Sequence, residues 1–234
     1  MCQRGYALDV GSADRRQRQK ESLRASILDA ARELFVQHGF EAVTMRKIAE
    51  KIEYSPTAIY QHFADKESLV QELCANDFLT LAEAFGRLAE IADPIDRLRE
   101  MGEAYIGFAR SNPNQYRFMF MVPHPQHTWH HEERQSDRGK PNRDAYTFLK
   151  WSCAQAIEQG RVRPDVSEPD VAAQLVWGAM HGIIALQIAM GEDEWVAWQP
   201  LEELGVSMIE TLLRGITLPG PPDAQRPPAA TPTK

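Results

Sequence analysis

Cysteine is scarce in this chain, with three residues among 234. Cys2, Cys74 and Cys153 lie far apart and follow no metal-binding or redox spacing. An odd number of unpatterned cysteines excludes a disulfide framework of the kind found in small secreted domains. We therefore expect a protein of the reducing cytoplasm.

Long hydrophobic runs are also lacking. The longest, residues 176–190, has 15 residues and includes His181 and Gln187. A bilayer-spanning helix needs about 20 predominantly apolar residues, so this run is expected to be too short and too polar to cross a membrane. The first 24 residues contain arginines but no apolar segment before a cleavage site, so we expect no signal peptide. The sequence predicts no membrane partner.

The motifs of common enzyme classes are missing as well. The chain has no Gly-rich phosphate loop, no nucleophile elbow and no His-Glu-x-x-His sequence, so we expect neither catalytic residues nor a cofactor. A metal-dependent enzyme stays open as a disfavoured alternative because four histidines share one proline-containing loop, residues 122–141. Metal sites need ligands fixed in geometry by supporting residues, which a solvated loop does not provide. The histidines are His124, His127, His130 and His131.

Charge is distributed unevenly along the chain. The net charge is −7, but residues 1–66 carry a balance of +2 and residues 67–234 a balance of −9. Five basic residues and one acid lie within residues 15–24. This basic stretch is a local footprint for a polyanion that the overall acidity hides. Residues 1–20 lack apolar periodicity and are predicted to form a disordered basic arm.

Apolar residues recur at helical spacing from residue 21 onward, and no convincing strand pattern is present, so the predicted fold class is all-α. Predicted helix starts include Thr44, Ser55 followed by Pro56, and Asp65. The predicted domains are a disordered arm at 1–20, a domain of short helices at 21–66, a larger helical domain at 67–217 and a proline-rich disordered tail at 218–234.

Residues 44–63 predict a helix-turn-helix, in which two short helices joined by a tight turn place the second helix in the major groove of DNA. The start of the first helix offers the Thr44 hydroxyl and free backbone N–H groups to a phosphate. Arg46 is placed to read a guanine edge or another phosphate. Small residues open the second helix, and polar side chains follow it within reach of flanking phosphates. The candidate DNA contacts are Thr44, Arg46, Ser55, Pro56, Thr57, Tyr60, Gln61, His62 and Lys66.

The stretch from Ile27 to Leu69 closely resembles the N-terminal domain of TetR-family transcriptional regulators. The residues that carry the resemblance are Phe35, Gly39 and Phe40; Thr44, Ile48 and Ala49; Ser55, Ile59, Tyr60, His62 and Phe63; and Asp65, Lys66, Glu67 and Leu69. A shorter resemblance, between residues 177–182 and a Trp…His-Gly pattern, points to one C-terminal subclass. The resemblance implies a three-helix DNA-binding domain followed by a helical ligand-binding and dimerisation bundle. It also implies a homodimeric repressor that a small effector releases from a pseudo-palindromic operator.

The chain departs from the family pattern in the turn. Glu53 stands where family members usually have glycine, and a left-handed backbone there costs a non-glycine residue roughly 1 kcal/mol. Pro56 and Thr57 replace the residues common at the start of the recognition helix. Base readout is therefore expected to depend on backbone fit and on apolar contact with thymine methyl groups.

The helix predicted at 170–190 is rich in small residues that allow another helix to approach closely. With the helix of residues 201–213, it is predicted to form a homodimer interface of four helices through residues of about 168–214. Burial of the same residues inside one subunit remains the alternative. A two-fold dimer would place two recognition helices about 34–36 Å apart, one turn of DNA.

A pocket for a mainly apolar or aromatic effector is predicted inside the bundle. Each candidate could instead belong to the core, and His181 could be a satisfied core histidine. A DNA-binding regulator without any effector also stays open, and the sequence leaves open the operator, the effector and the choice between repression and activation. The candidate ligand residues are Tyr105, Phe108, Phe118, Met121, Phe148, Trp151, Trp177, Met180 and His181.

Overall fold

The computed structural model describes residues 10–123 and 143–218, with side chains from residue 14 onward. Within those residues the regular secondary structure is helical apart from one isolated bridge between Val162 and Thr217, and the all-α prediction is confirmed. Short 3-10 helices cover Arg87–Glu90 and Pro164–Val166. The α-helices are α1 (Val10–His38), α2 (Met45–Lys51), α3 (Pro56–Tyr60), α4 (Lys66–Gly86), α5 (Pro94–Ser111), α6 (Pro113–Phe120), α7 (Ala145–Glu158), α8 (Pro169–Met190) and α9 (Leu201–Ile216).

The predicted helix starts are confirmed by their capping hydrogen bonds. Thr44 Oγ1 accepts from the Lys47 N–H at 3.3 Å, and Ser55 Oγ accepts from the Ala58 N–H at 3.3 Å. Asp65 Oδ1 accepts from the backbone N–H of Ser68 at 2.7 Å. Each cap satisfies an N–H group that has no partner inside its own helix.

Helix α1 begins earlier than the sequence analysis predicted. Residues 10–20 belong to α1, so the prediction of a disordered arm at 1–20 is wrong for these residues, and residues 1–9 lie outside the described part. Arginine, glutamine, lysine and glutamate are good helix formers even without an apolar face. Gln17 Nε2 also donates to Glu21 Oε1 at 2.7 Å, four residues along the helix. At the other end, α1 stops before Gly39, which has a φ of 76°.

The described residues divide into two compact units. The first holds residues 10–81 and 108–123, and the second holds residues 82–107 and 143–218. The first unit therefore continues past the predicted domain boundary at residue 66, as far as residue 81. The physical reason is that the first half of α4 supplies buried side chains to the core of α1–α3. These side chains are Leu69, Val70, Leu73 and Cys74.

Helices α5, α7, α8 and α9 pack together in the second unit. A close approach of α9 to α5 is possible because Gly205 faces Ile106, and an ideal Cβ at Gly205 would lie 1.7 Å from Ile106 Cδ1. The end of α9 is joined to the segment after α7. There the Arg163 N–H donates to the Ile216 carbonyl and the Leu218 N–H to the Arg161 carbonyl, each at 2.9 Å. Burial raises the pKa of the Cys153 thiol to about 12, so this cysteine is a packing residue.

Helix α8 has 22 residues and is long and apolar enough to cross a membrane on length and composition alone. The helix is longer than the apolar run of 15 residues noted in the sequence, because it begins at Pro169, seven residues before that run. One side of α8 is buried in the second unit, while Val171, Leu175 and Leu186 are exposed. The spaces that side chains would fill at Gly178 and Gly182 are open. An exposed apolar face with small residues is a surface suited to another helix.

Candidate nucleic-acid interface

The turn between α2 and α3 adopts the strained backbone that the sequence analysis anticipated. Glu53 has φ 60°, the one positive φ recorded for a non-glycine residue in the described chain. Next to it, the Tyr54 N–H donates to the Ala49 carbonyl at 3.0 Å and closes the turn. A left-handed conformation costs a residue with a Cβ about 1–2 kcal/mol. The fold holds Glu53 in this conformation because Ile48 and Ile59, on either side of the turn, are fully buried.

Replacing Glu53 by glycine should raise the free energy of unfolding by about 0.5–1 kcal/mol. Glycine removes the backbone strain of the folded state, and this gain is larger than the stability lost because glycine increases the conformational entropy of the unfolded chain. Urea denaturation of the purified variant measures the change. Glu53→Ala is the matched control because it removes the carboxylate and keeps the Cβ. If both variants gained the same free energy of unfolding, the gain would come from loss of the carboxylate charge. That result would contradict the conclusion that the backbone of Glu53 is strained.

Helix α3 presents one face outward and is held by the other. Ile59 is fully buried and Phe63 nearly so, and together they fix the helix to the core of the first unit. The predicted contacts on the opposite side are exposed, as a helix that enters a groove requires. These residues are Ser55, Pro56, Thr57, Tyr60 and Gln61.

The start of α2 lies on the exposed surface as well. The Thr44 oxygen accepts the capping bond from Lys47, which leaves the hydroxyl proton available to an outside acceptor. The Arg46 side chain is 80% exposed and its Nε donates to Glu50 at 2.9 Å. Exposed ion pairs at this spacing contribute only a few tenths of a kcal/mol, so a phosphate or a base edge can replace Glu50 as the partner of Arg46.

Lys66 is placed differently from the prediction. Its ammonium group donates to the carbonyl oxygens of Phe40 at 2.9 Å and Val43 at 3.1 Å. The same group lies 3.9 Å from the centre of the Phe40 ring. These contacts fix the loop between α1 and α2 to the start of α4. The structure therefore gives Lys66 a positioning role, with one N–H left for a phosphate.

His62 is half-buried, and its Nδ1 is the one buried side-chain N or O atom in the described residues that has no hydrogen-bond partner. Burial, followed by the charges of Arg24 and Lys20, lowers the pKa of this imidazole. A neutral ring is expected near pH 7. His62 can therefore contact a phosphate as a hydrogen-bond donor but not as a cation.

Arg24 was missed by the sequence analysis. Its guanidinium lies 4.3 Å from the centre of the Phe63 ring, and its NH1 donates to the His62 carbonyl at 2.9 Å. It also pairs with Glu72 on α4. Arg24 thus links α1 to the end of α3 and to α4. The sequence feature that could have identified Arg24 is its position at the end of the basic stretch of residues 15–24.

The predicted ligand residues are divided between the units. In the first unit, the Phe118 ring stacks on Phe35 at 5.5 Å and belongs to the core formed by α1–α3 and the start of α4. Phe118 is therefore a packing residue rather than a ligand contact. Phe108 is buried and Met121 is half-buried.

The other predicted ligand residues lie in the second unit, where several contact one another. Trp177 Nε1 donates to the Tyr105 hydroxyl at 3.1 Å, which joins α8 to α5. The Phe148 ring lies 5.4 Å from Trp151, and the Arg97 guanidinium covers Trp151 at 4.2 Å. Two further aromatic residues that the sequence analysis omitted, Phe85 and Tyr146, contact Phe148 and Trp177 respectively.

Helix α8 supplies Met180, which is buried, and His181, which is half-buried. Burial lowers the pKa of the His181 imidazole. Among the described residues no group of three or more His, Cys, Asp or Glu side chains is arranged to hold a metal ion. The histidines of the 122–141 loop lie outside the described residues.

Two family profiles match the chain. The profile described as bacterial regulatory proteins of the tetR family matches residues 27–73, from the middle of α1 to the first turns of α4. A second, described as a tetracyclin repressor-like C-terminal domain, matches residues 98–212. This chain belongs to the TetR family. The resemblance stated from the sequence is confirmed, and the second match extends it to most of the C-terminal helices.

Relatives in the TetR family are similar over different lengths. The transcriptional repressor AcnR of Corynebacterium diphtheriae is 42% identical over 60 residues, which are 26% of this chain and 32% of AcnR. The match thus spans about a third of that relative. The repressor KstR2 of Mycobacterium tuberculosis is 28% identical over 173 residues, 65% of this chain and 76% of KstR2.

Solved structures of the TetR family share the fold. A transcription regulator from Marinobacter aquaeolei superposes with a TM-score of 0.65 at 18% identity, covering 86% of this chain and 98% of that one. The structure of KstR2, described as a ketosteroid transcriptional regulator, superposes with a TM-score of 0.63 at 21% identity. It covers 84% of this chain and 95% of that one. At these identities the likeness establishes the fold alone.

Proposed function

We propose that this chain is a homodimeric transcriptional repressor that binds a pseudo-palindromic operator and is released by a small effector. The observation that carries the proposal is the exposed N-terminal half of α3, a helix anchored by buried Ile59 on its inner side and by buried Phe63 just after its end. A short helix held in this way can enter the major groove without rearrangement of its core. Its site of action would be the cytoplasm.

The roles at the DNA surface differ by residue. Thr57 and Pro56 lie at the start of α3, where side chains reach base edges, and the Thr57 methyl group suits a thymine methyl. Tyr60 is 54% exposed near the end of α3, where its hydroxyl would donate to a phosphate. Thr44 and Arg46 would bind phosphates or a base edge from α2.

The exposed apolar faces of α8 and α9 support dimerisation. Leu175 and Leu186 on α8 and Val206 on α9 are each more than 40% exposed in the single chain. Exposed apolar side chains on helices that pack together are typical of a protein–protein interface. The same face explains why α8 is apolar enough for a membrane, since a second copy of the chain can cover it.

The aromatic cluster of the second unit supports an apolar or aromatic effector. Trp177 and Tyr105 supply large apolar surfaces with polar ends, and such side chains are common in ligand pockets. KstR2 is described as a ketosteroid transcriptional regulator, and a ketosteroid is a small, mainly apolar molecule. An effector releases DNA only if it binds the released form more tightly than the DNA-bound form.

Substitutions at Thr57 and Tyr60 should separate base readout from phosphate contact. Thr57→Ser removes the methyl group and should lower affinity for the selected operator by roughly tenfold while leaving random DNA nearly unaffected. Tyr60→Phe removes the hydroxyl and should weaken binding to both DNAs by about fivefold. Fluorescence anisotropy with an operator selected from a randomised library and with a scrambled duplex measures both.

Gln61→Ala serves as a control for truncation of a neighbouring exposed side chain. Equal losses on operator and scrambled DNA for Thr57→Ser would contradict its role in base readout. Absence of any duplex selected by the purified chain would contradict the proposed function itself.

A further inference from the structure

We propose that the N-terminal extension of α1 is a second DNA-contacting surface, formed by Arg16 and Lys20, that binds phosphates beyond those contacted by α2 and α3. This inference rests on the proposed DNA-binding function. From the sequence, this basic stretch was assigned to a polyanion in general, and none of the individual DNA contacts that were predicted lies in this extension. The occupant it fits is the backbone of the same duplex that α3 enters.

The first argument is the helical position of the basic side chains. Arg16, Lys20 and Arg24 follow one another at intervals of four residues, so they form one row along α1. At 100° per residue, Arg18 points about 160° away from both Arg16 and Lys20, and Arg15 points about 100° from Arg16 and about 140° from Lys20. The basic side chains of this stretch therefore lie on two different faces of α1, one with Arg16 and Lys20 and the other with Arg15 and Arg18.

The second argument is the location of that row. Arg24 donates to the carbonyl oxygen of His62, immediately after α3, at 2.9 Å. Lys20 is close enough for its charge to lower the pKa of the His62 imidazole. The row thus begins beside the end of the helix that is proposed to enter the groove. It continues from Arg24 to Arg16 over about 12 Å at 1.5 Å per residue.

The third argument is accessibility and charge. Arg16 and Lys20 are both exposed, and no ion pair with an acid is recorded for either of them within residues 14–123. Lys51, by contrast, is paired with Glu33 and Arg46 with Glu50. In a chain of net charge −7, Arg16 and Lys20 form a local concentration of cations, whereas Arg24 at the end of the row is paired with Glu72. Cations next to a recognition helix attract the phosphates that flank the groove it enters.

Two variants of equal charge test the proposal in the full chain. Arg16→Gln with Lys20→Gln removes the row, and Arg15→Gln with Arg18→Gln removes the same charge from the other face of the same helix. Glutamine keeps the helix propensity and the approximate length of these side chains. The probes are a selected operator and a mixed-sequence duplex of 30 base pairs, with affinity measured across a series of salt concentrations. Circular dichroism checks that both variants retain the helix content of the parent.

We expect the Arg16/Lys20 variant to lose on the order of tenfold in affinity for both duplexes, with the salt slope reduced by about 0.9 for each phosphate that the variant no longer neutralises. The Arg15/Arg18 variant should lose less than about threefold, through the general field alone. Equal losses in the two variants, or no loss in either, would overturn the proposal while leaving the proposed function intact. A parent chain that binds neither duplex would overturn both.

Discussion

Arg32→Met should lower the free energy of unfolding by about 3–5 kcal/mol at neutral pH, because it leaves the buried carboxylate of Asp77 without its cation. The Arg32 guanidinium donates to both carboxylate oxygens of Asp77, at 2.7 and 3.2 Å. The Asp77 side chain is 1% exposed, and its other hydrogen bond is from Gln115 Nε2 at 2.9 Å. Urea denaturation followed by circular dichroism measures the loss.

The pH dependence of this variant has a defined sign. Burial raises the pKa of Asp77 above the ordinary 3.8, and the bonds from Arg32 oppose that rise. Removing Arg32 should raise the pKa of Asp77 further. The folded variant then binds a proton more readily than the unfolded chain. The destabilisation should therefore be smallest in acid, below the ordinary pKa, and should grow as pH rises through the folded-state pKa of Asp77.

Two further variants separate an orphaned charge from a simple loss of packing. Arg46→Met breaks an ion pair with an 80% exposed arginine and should cost less than about 1 kcal/mol. The double variant Arg32→Met with Asp77→Leu removes both buried charges and should recover most of the stability. A double variant as unstable as Arg32→Met alone would contradict the argument.

Gly205→Ala should destabilise the chain by about 1–3 kcal/mol, through overpacking between α9 and α5. The new Cβ would overlap Ile106 Cδ1 at 1.7 Å and lie 2.9 Å from Cγ1, and Ile106 is 3% exposed. The side chain of Ile106 has little room to move away. Thermal unfolding of the purified variant reports the loss.

Gly215→Ala is the matched control because it lies on the same helix with open space around its Cβ. There alanine should be neutral or stabilising by up to about 1 kcal/mol, since glycine is the poorer helix former. Gly205→Ala combined with Ile106→Ala should restore part of the loss by removing the overlapping atoms. An equal loss of stability in Gly205→Ala and Gly215→Ala would contradict the prediction, because the loss would then come from a change in α9 itself and not from its close approach to α5.

Local signals accounted for much of the first unit. Thr44, Ser55 and Asp65 were identified as caps because capping depends on residues three positions apart, which a sequence displays directly. The strain at Glu53 was likewise anticipated from the turn chemistry. These features are set by short-range sterics and hydrogen bonds.

Contacts between distant segments were not available to sequence reasoning. Arg32 and Asp77 are 45 residues apart, and nothing near either residue indicates that both are buried together. Lys66 looked like a phosphate contact because its charge was visible while the carbonyl groups of Phe40 and Val43 were not. Phe118 looked like a ligand residue because a core aromatic and a pocket aromatic share one pattern.

The unbroken course of α1 has a mechanical consequence for how the protein would leave DNA. Exposed Arg16 and Arg32, which forms the buried pair with Asp77, belong to the same continuous helix. They are therefore expected to move together as one rigid element. A change in the orientation of α1–α3 would then remove the contacts of α3 with the groove and those of the α1 extension with flanking phosphates at the same time. Dissociation is expected to be abrupt, with no long-lived state held by the extension alone.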